Sequence, residues 1–508
     1  MIDPVSPDYT CTPAAAGRPP FDYRPESIAA QPLVTVITPF WNHARELFHE
    51  TARCVLNQSL QQFEWIIIND AATDREALAI LDQYRNCDPR VRVIDNPVNL
   101  GLAGARNVGF RAARAEFVFV LDDDDLIEPT TLEKAYWFLL SHPEFAAVNS
   151  WVVGFGGQTY LWQKGFECGE QMLRANHLTS IGMIRRSAFD RVGGYDAEIR
   201  GGLEDWEFWL RLADAGLWGA TLPEFLTWYR RRASHADRWE NLDDSSRQRF
   251  VDRLRAKFPR LYEDGFPAFE PHWPVPYDEV ARELPCENPL AKTKRRLLML
   301  VPWLQMGGAD KFNLDLLEQL TRAGWEVTIA ATKQGNNNWL AEFTRHTPDV
   351  FVLHHFLRGV DTPTFLRYLI RSRRPDVVLI TNSELGYLLL PYLRAVCPEP
   401  RYVDFCHMEE EYWKNGGYPR YAVASQPLLD LNIVSSEHLR QWMVRRGANP
   451  AGIEVSYTNI DPEVWRPDAT LRERTRAELG LAPDVPVILY AARICDQKQP
   501  MVFARVMQ

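Results

Sequence analysis

The amino-acid sequence predicts an α/β protein built on two successive, mostly parallel sheets. Three observations predict it. Short apolar runs alternate with helical stretches, first over residues 33–141 and again from 296 onward; strands separated by helices of roughly 10–15 residues form βαβ units. Two early strands, "FEWIIIND" and "FVFVLDDDD", end in acids, and in such sheets ligands gather at the carboxyl ends of the strands. Two helices open on glycines, in "NLGLAGARNVGF" and "MGGAD", which lets the backbone at a helix N-terminus approach a phosphate.

The elements follow in order. "LVTVITPF" (33–40) is the first strand, with a helix from Ala44 to Gln58. "FEWIIIND" (63–70), the helix "REALAILDQYRN" and the strand "RVRVIDN" come next, then the glycine-led helix and "EFVFVLDDDD". A helix over 130–141 and the strand "AAVNSWVVGF" continue the pattern into a Trp/Gly-rich region containing "GGLEDWEFWLRL". Residues 236–295 hold a charged helix, "SSRQRFVDRLRAKF", and a stretch too rich in proline for a helix interior. From "RRLLMLVPWL" a second run begins, with "EVTIAAT", "VFVLHHF", "DVVLITN", "RYVDFCH" and "LNIVSS" as strands. "PVILYAARICDQKQPMVFARVMQ" reads as one more strand, a loop and the first turns of a helix.

Composition narrows the function classes. The 508 residues are 46% hydrophobic and carry a net charge of −10 with no long Lys/Arg block, which argues against bulk nucleic-acid binding. No apolar run approaches the roughly 18 residues that span a bilayer. The eight cysteines form no CxxC pair, so a zinc cluster is not expected and a reducing, cytoplasmic compartment is.

The chemistry concentrates in five ordered stretches, "VITPFWN", "IIINDAATD", "NLGLAGARNVGF", "VLDDDD" and "GGLEDWEFWLRL". They supply acids at strand ends, an arginine near a glycine-rich helix start and a later acidic pair. Hard cations take carboxylate and phosphate oxygens together, so the set suits a metal-bound nucleotide diphosphate. At these residues, about 33–235 resemble the family 2 glycosyltransferases of the GT-A fold. "LDDDD" is similar to that family's Asp-x-Asp motif and Glu204-Asp205 to its Glu-Asp pair.

The resemblance implies the following roles. Thr38, Pro39 and Asn42 lie around base and ribose, and Asp70 faces the base. Arg106 is on the nucleotide side. Asp122 and Asp124 serve a divalent metal, Mn²⁺ or Mg²⁺, with Asp124 the direct ligand. Asp205 is the general base and Glu204 supports it. Asn69, Ala71 and Ala72 depart from the family's Asp-Asp-Gly-Ser pattern. Asp123 and Asp125 read as loop-solvating or helix-capping acids, and Trp206, Trp209 and Trp218 as core or acceptor-pocket wall. Tyr229-Arg230 and Ser234-His235 resemble a motif that reaches the diphosphate.

The later segment resembles family 4 glycosyltransferases of the GT-B fold, through Gly307-Gly308-Ala309, the turn Thr458–Asp461, and Arg493 with Lys498. In that family the Arg and Lys hold the donor diphosphate. The resemblance implies an organisation of five parts: an arm (1–30, disordered or extended), a GT-A Rossmann-like mixed sheet (31–235), a connector (236–295), a Rossmann-like GT-B N-terminal domain (296–470) and a truncated start of a second GT-B domain (471–508). The expected partners are a nucleotide-sugar donor and a glycan or lipid-linked acceptor, with no transmembrane segment but with peripheral membrane contact open. A non-catalytic glycan- or partner-binding module with a degenerate donor site and a nucleotidyltransferase are the alternatives.

Overall fold

The computed structural model describes residues 21–42, 47–200, 202–231, 243–267, 287–492, 494–495 and 498–508. The chain divides into two units, residues 1–456 and 457–508.

In the first unit the strand and helix order begins β1 (Val34–Phe40), α1 (Leu47–Leu56), β2 (Phe63–Asn69), α2 (Arg75–Tyr84), β3 (Val91–Asp95), α3 (Gly101–Ala112), β4 (Phe117–Val120). It continues β5 (Leu126–Ile127), α4 (Thr131–Ser141), β6 (Ala147–Gly156), β7 (Tyr160–Trp162), β8 (Gly182–Arg185), α5 (Arg186–Val192), α6 (Glu204–Asp214) and β9 (Gly219–Arg231). The sheet order is β3-β2-β1-β4-β8-β6-β9-β5, with β7 on β6. β1 to β4 are parallel; β8 runs antiparallel to β4 and to β6. All seven residues of β1 and of β2 are buried, as expected of strands covered on both faces. Strand order reverses between β1 and β4, the switch point at which open α/β sheets bind ligands.

The second sheet is all parallel, in the order β12-β11-β10-β13-β14-β15-β16, where β10 is Arg296–Val301, β11 Glu326–Ala331, β12 Val350–Val352, β13 Val377–Thr381, β14 Arg401–Cys406, β15 Leu431–Val434 and β16 Ile453–Val455. The two sheets are joined through α4. Ten of its eleven residues are buried, because Trp137 packs edge-on against Phe365 of the helix Thr362–Arg373. Burial on both sides leaves Glu133 and Lys134 without water, so each has a countercharge. Arg373 meets Glu133 at 2.6 Å and Asp349 at 2.8 Å, and Lys134 meets Glu224 at 2.6 Å.

Within the N-terminal arm, residues 21–30 include Phe21 and Tyr23, which stack with rings 4.9 Å apart and are buried with Leu290. The charged helix after the first module spans Asp244–Lys257 and adds Leu254 to the core that holds Trp206 and Trp218. Trp206, Trp209 and Trp218 are all core residues.

The second unit holds the helices Ala469–Glu478 and Pro500–Val506. The strand expected at "PVILY" does not form: Val487, Ile488 and Leu489 are 55%, 62% and 82% exposed. A strand needs a neighbour to satisfy its backbone groups, and none pairs with it among the described residues. No described helix is long and apolar enough to cross a membrane.

Candidate functional site

The crevice at the β1/β4 switch point collects the acids. Immediately after β4 comes the four-aspartate run, and its side chains alternate. Asp122 and Asp124 are partly exposed, whereas Asp123 and Asp125 are buried, at 6% and 1%. The expectation that Asp123 and Asp125 solvate the loop is therefore corrected. Residues 123–124 form a turn between β4 and β5, closed by the Asp125 N–H on the Asp122 carbonyl at 3.4 Å, and this turn leaves Asp123 and Asp125 on the buried side. The backbone of both residues is pinned by the Thr51 hydroxyl, which donates to their carbonyls at 3.2 and 2.9 Å. Asp125 Oδ1 accepts from the Arg230 backbone N–H at 2.6 Å, and Arg230 Nε donates to the Asp124 carbonyl at 2.7 Å. Burial, with the charges of Asp124 and Asp122, pushes the Asp125 carboxyl well above the usual carboxylate range.

One arginine joins this run to the Glu-Asp pair. Arg106, on α3 and 1% exposed, donates from Nη2 to Asp122 Oδ1 at 2.8 Å and from Nη1 to Glu204 Oε1 at 2.7 Å. Nη2 also reaches Ser180 Oγ at 2.9 Å. Burial alone would weaken the guanidinium's charge, but Asp122 and Glu204 more than restore it. Arg106 is thus committed to two carboxylates and a hydroxyl. The adjacent Asn107 clamps the Tyr195 backbone, accepting its N–H at 2.8 Å and donating to its carbonyl at 2.9 Å.

Asp205 sits in the first turn of α6. Its Oδ1 accepts from the Trp206 N–H at 2.8 Å and its Oδ2 from Asn176 Nδ2 at 3.1 Å. Burial and the Glu204 charge push its carboxyl up to about 7, against the pull of Arg106, Trp206 and Asn176. Leu203, which precedes the pair, has φ 72°; a left-handed non-glycine residue costs about 1–3 kcal/mol and persists where its surroundings hold it.

The remaining predicted residues fall behind or beside these. Asp70, 4% exposed, accepts from the Leu100 N–H at 2.9 Å, the Gly101 N–H at 2.8 Å and Asn96 Nδ2 at 2.9 Å. It caps the start of α3 from the end of β2. Asn42 ties the β1 loop to the β2 loop, accepting from the Thr73 and Asp74 N–H groups at 2.6 and 2.9 Å. Thr38 is wholly buried and its hydroxyl accepts from Trp65 Nε1 at 3.0 Å, and Pro39 is buried in β1. Ala71 stands at φ 55° where the family has glycine, and Asn69 Oδ1 closes that turn on the Ala72 N–H at 3.0 Å.

Two residues bonded to the candidate site escaped sequence reasoning, Ser180 and Asn176. Both lie in an irregular segment between the 3-10 turns Phe166–Leu173 and β8, and neither forms a motif with its neighbours. The only signal was their position in the Trp/Gly-rich stretch. Ser234 and His235 lie outside the described residues.

In the second sheet, Gly307 caps and Gly308 opens the helix Gly308–Arg322. A side chain on Gly308 would meet nothing within 4 Å, while one on Gly307 would lie 2.8 Å from Asp310 Oδ2. Burial pushes the Asp310 carboxyl up to about 6. In the second unit Lys498 is exposed, and Arg493 lies outside the described residues.

A divalent metal is tested by the donor set. No group of three His, Cys, Asp or Glu gathers around one point among the described residues. Asp122 and Asp124 nevertheless offer two partly exposed carboxylates on one loop, and a Mg²⁺-type ion takes one or two carboxylates with substrate phosphates completing its shell. The residues fit such an ion.

Comparison with known proteins bears on these crevices. Residues 35–203 match the family described as glycosyl transferase family 2, and residues 306–464 the one described as glycosyltransferase family 4. The putative glycosyltransferase EpsE of Bacillus subtilis (strain 168) is 31% identical over 202 residues, covering 38% of this chain and 72% of that protein. The putative teichuronic acid biosynthesis glycosyltransferase TuaG of the same strain is 36% identical over 135 residues, 27% of this chain and 50% of that one. The solved structure of S. aureus TarS 1-349 in complex with UDP-GlcNAc is 18% identical, covers 45% of this chain and 73% of that one, and has a TM-score of 0.37.

Proposed function

The chain belongs to the family 2 glycosyltransferases, with a family 4 glycosyltransferase segment following, and from that premise we propose that its first module transfers a sugar from a nucleoside-diphosphate donor to a hydroxyl of a glycan or glycoconjugate, with inversion and with a divalent metal, in surface-polysaccharide assembly. The observation that carries this reading is the Arg106 bridge. By bonding Asp122 and Glu204 together, it holds the donor-side acids and the base-bearing turn of α6 in one crevice. The names of the relatives, teichuronic acid biosynthesis and O-antigen biosynthesis, support the polysaccharide role.

Asp124 and Asp122 would hold the metal, which when bound neutralises charge on the leaving diphosphate. Asp205 takes the proton of the acceptor hydroxyl. That oxygen forms the new bond to the anomeric carbon as the bond from this carbon to the diphosphate breaks. The Trp206 N–H and Asn176 each occupy one lone pair of the Asp205 carboxylate, which fixes its plane and leaves lone pairs for the acceptor. Glu204, held by Arg106, keeps α6 in register with the donor acids. Asp70 and Asn42 shape the loops of the nucleotide pocket through the backbone groups they bind. Such a base with a carboxyl near 7 is half ionised at neutral pH, which suits proton transfer.

The test is nucleoside-diphosphate release by the full chain from a panel of UDP- and GDP-sugars, with Mn²⁺, Mg²⁺ or chelator. Asp205→Asn is expected to lower the rate about 10²–10⁴-fold, and Asp124→Ala to abolish the metal response. Wild-type kcat/KM should climb with pH up to about 7 and then level, because only the ionised base acts. Pyrophosphate release would instead mark a nucleotidyltransferase, and a wild type inert toward every donor would sink the reading.

A further inference from the structure

The two family-matched segments share a cavity of about 360 Å³, within the roughly 300–1,000 Å³ of small-molecule sites. One wall comes from β6 and β9, the other from the loop that follows β11. An irregularity in the strand pair shapes the first wall. The β6–β9 register shifts on both sides of Trp151, so that Ser150 pairs with Leu222, Trp151 with Phe225 and Val152 with Thr227. Pro223, Glu224 and Leu226 are the extra residues, and all three line the cavity together with Trp151. A bulge of this kind re-aims side chains out of the ladder.

The second wall is a loop pinned from within. Asn337 is buried and stands at φ 45°. Its Oδ1 accepts the Leu304 N–H at 2.9 Å, and its Nδ2 donates to the Gly335 carbonyl at 3.0 Å. Asn337 is therefore committed to the loop. Its neighbours Asn336 and Asn338 are exposed and line the cavity. Neither of their amides, nor the Trp151 indole N–H, has a hydrogen-bond partner among the described residues.

The charges of the lining are spent on one another. Glu224 accepts from Lys134 Nζ at 2.6 Å and from His355 Nδ1 at 2.9 Å, one on each carboxylate oxygen. Burial alone would raise its carboxyl, but Lys134 and His355 bring it down to about 2. Glu128, the other acid of the lining, accepts from the Trp228 indole at 2.9 Å. No second Lys and no Arg lines the cavity among the described residues, so a phosphate would find no free cation there. What is left for a ligand is an aromatic ring, its N–H and two planar amides. Aromatic rings suit the C–H face of a pyranose, and an amide meets hydroxyls as donor and acceptor at once. We propose that the cavity is a saccharide subsite, in which a neutral sugar unit packs on Trp151 and bonds through its hydroxyls to Asn336 and Asn338. The proposal rests on the glycosyltransferase reading for the source of that sugar, a glycan on which the chain works, and adds a site where both modules hold it.

The experiment titrates the full chain with maltose, cellobiose and N,N′-diacetylchitobiose, following binding by saturation-transfer NMR and tryptophan fluorescence. At least one of these neutral disaccharides should bind, and an excess of uridine or of glucose 6-phosphate should not displace it. Asn336→Ala combined with Asn338→Ala should weaken it about fivefold or more, and Trp151→Ala about tenfold or more, a difference of ~1.4 kcal/mol. The asparagine pair is exposed and decides the matter if Trp151→Ala fails to fold. Asp205→Asn should leave this binding unchanged. Binding of none of the three, displacement by uridine or glucose 6-phosphate, loss of binding in Asp205→Asn, or indifference to the asparagine pair overturns the proposal. Donor cleavage by the wild type is measured in parallel. Cleavage without disaccharide binding removes the subsite and leaves the transferase reading; disaccharide binding that needs the asparagine pair, with no donor cleaved, keeps the subsite and removes that reading.

Discussion

The mixed first sheet and the all-parallel second share the order of their first four strands, β3-β2-β1-β4 and β12-β11-β10-β13, and so a switch point, yet their crevices are furnished in opposite ways. In the first, anionic groups face the ligand space and a buried cation, Arg106, sits behind them, bonded to Asp122 and Glu204. In the second, the helix N-terminus at Gly307-Gly308 has its own carboxylate, Asp310, folded back against it. A helix N-terminus attracts an anion through its free N–H groups and dipole, and Asp310 supplies one from within the chain. The shared four-strand order thus frames one crevice with partly exposed carboxylates and one whose helix N-terminus is faced by a carboxylate of its own chain. What separates them is not the fold but which charge is buried behind the switch point.

The largest effect that would break this comparison is expected at Arg106. Arg106→Met leaves Asp122 and Glu204 facing each other without their shared partner, and removal of one member of a buried ionic set costs about 3–5 kcal/mol. Urea unfolding should show that loss, and donor cleavage should fall with it. A variant as stable as the wild type would mean that the bridge does not hold the site together.

Asn176→Ala should leave stability nearly intact and move the pH profile instead. Asn176 lowers the Asp205 carboxyl by donating to its ionised form. Without it the base titrates higher, so the rising limb of kcat/KM shifts to higher pH while KM for the donor stays put. An unmoved limb would remove Asn176 from the site.

For the second crevice, Asp310→Asn should alter the pH dependence of stability. The Asp310 carboxyl is raised from 3.8 to about 6, so the folded chain keeps this proton where the unfolded chain has lost it. The wild type therefore loses stability as pH rises from about 4 to 6, and the variant should lack that loss and gain on the order of 1 kcal/mol at pH 7. Calorimetric melting at pH 4, 6 and 8 measures it.

The smallest effect is expected at Ala71. Its φ of 55° is strained for any side chain, so Ala71→Gly should stabilise by about 1 kcal/mol or less once the added unfolded-state entropy is subtracted. A destabilised variant would show that the turn is held by its contacts rather than strained.

Much of this was legible in the residues. β1 and β2 could be read as strands because continuous apolar runs mean burial on both faces; β1 to β3 appear within a residue of their expected places, whereas β4, expected to run through the aspartates, ends at Val120. The acids at strand ends could be read because parallel topology sends them to one edge. The separation of Asp122 and Asp124 from Asp123 and Asp125 matches the split in exposure, but the burial of the latter pair was not legible. Nothing local says that Thr51 and Arg230, 74 and 105 residues from Asp125, will bury them. The strand expected at "PVILY" failed for a related reason, since β-propensity is realised only where a partner strand is present.

Sequence by itself determined the secondary-structure periodicity, the parallel topology and the chemical inventory of the crevice, because each depends on spacing along the chain. Tertiary structure alone decided which charges face the ligand and which lie behind it. Arg106 reads as a nucleotide contact in one dimension; in three it is spent on Asp122 and Glu204, 16 and 98 residues away. The Asn176 bond to Asp205, the Tyr160 ring laid on Gly154 and the Arg373 clamp between the sheets are pairings of the same tertiary kind. Burial makes such pairings obligatory, because a charge or donor removed from water must find a partner, but only the packing of the whole chain says which partner it is.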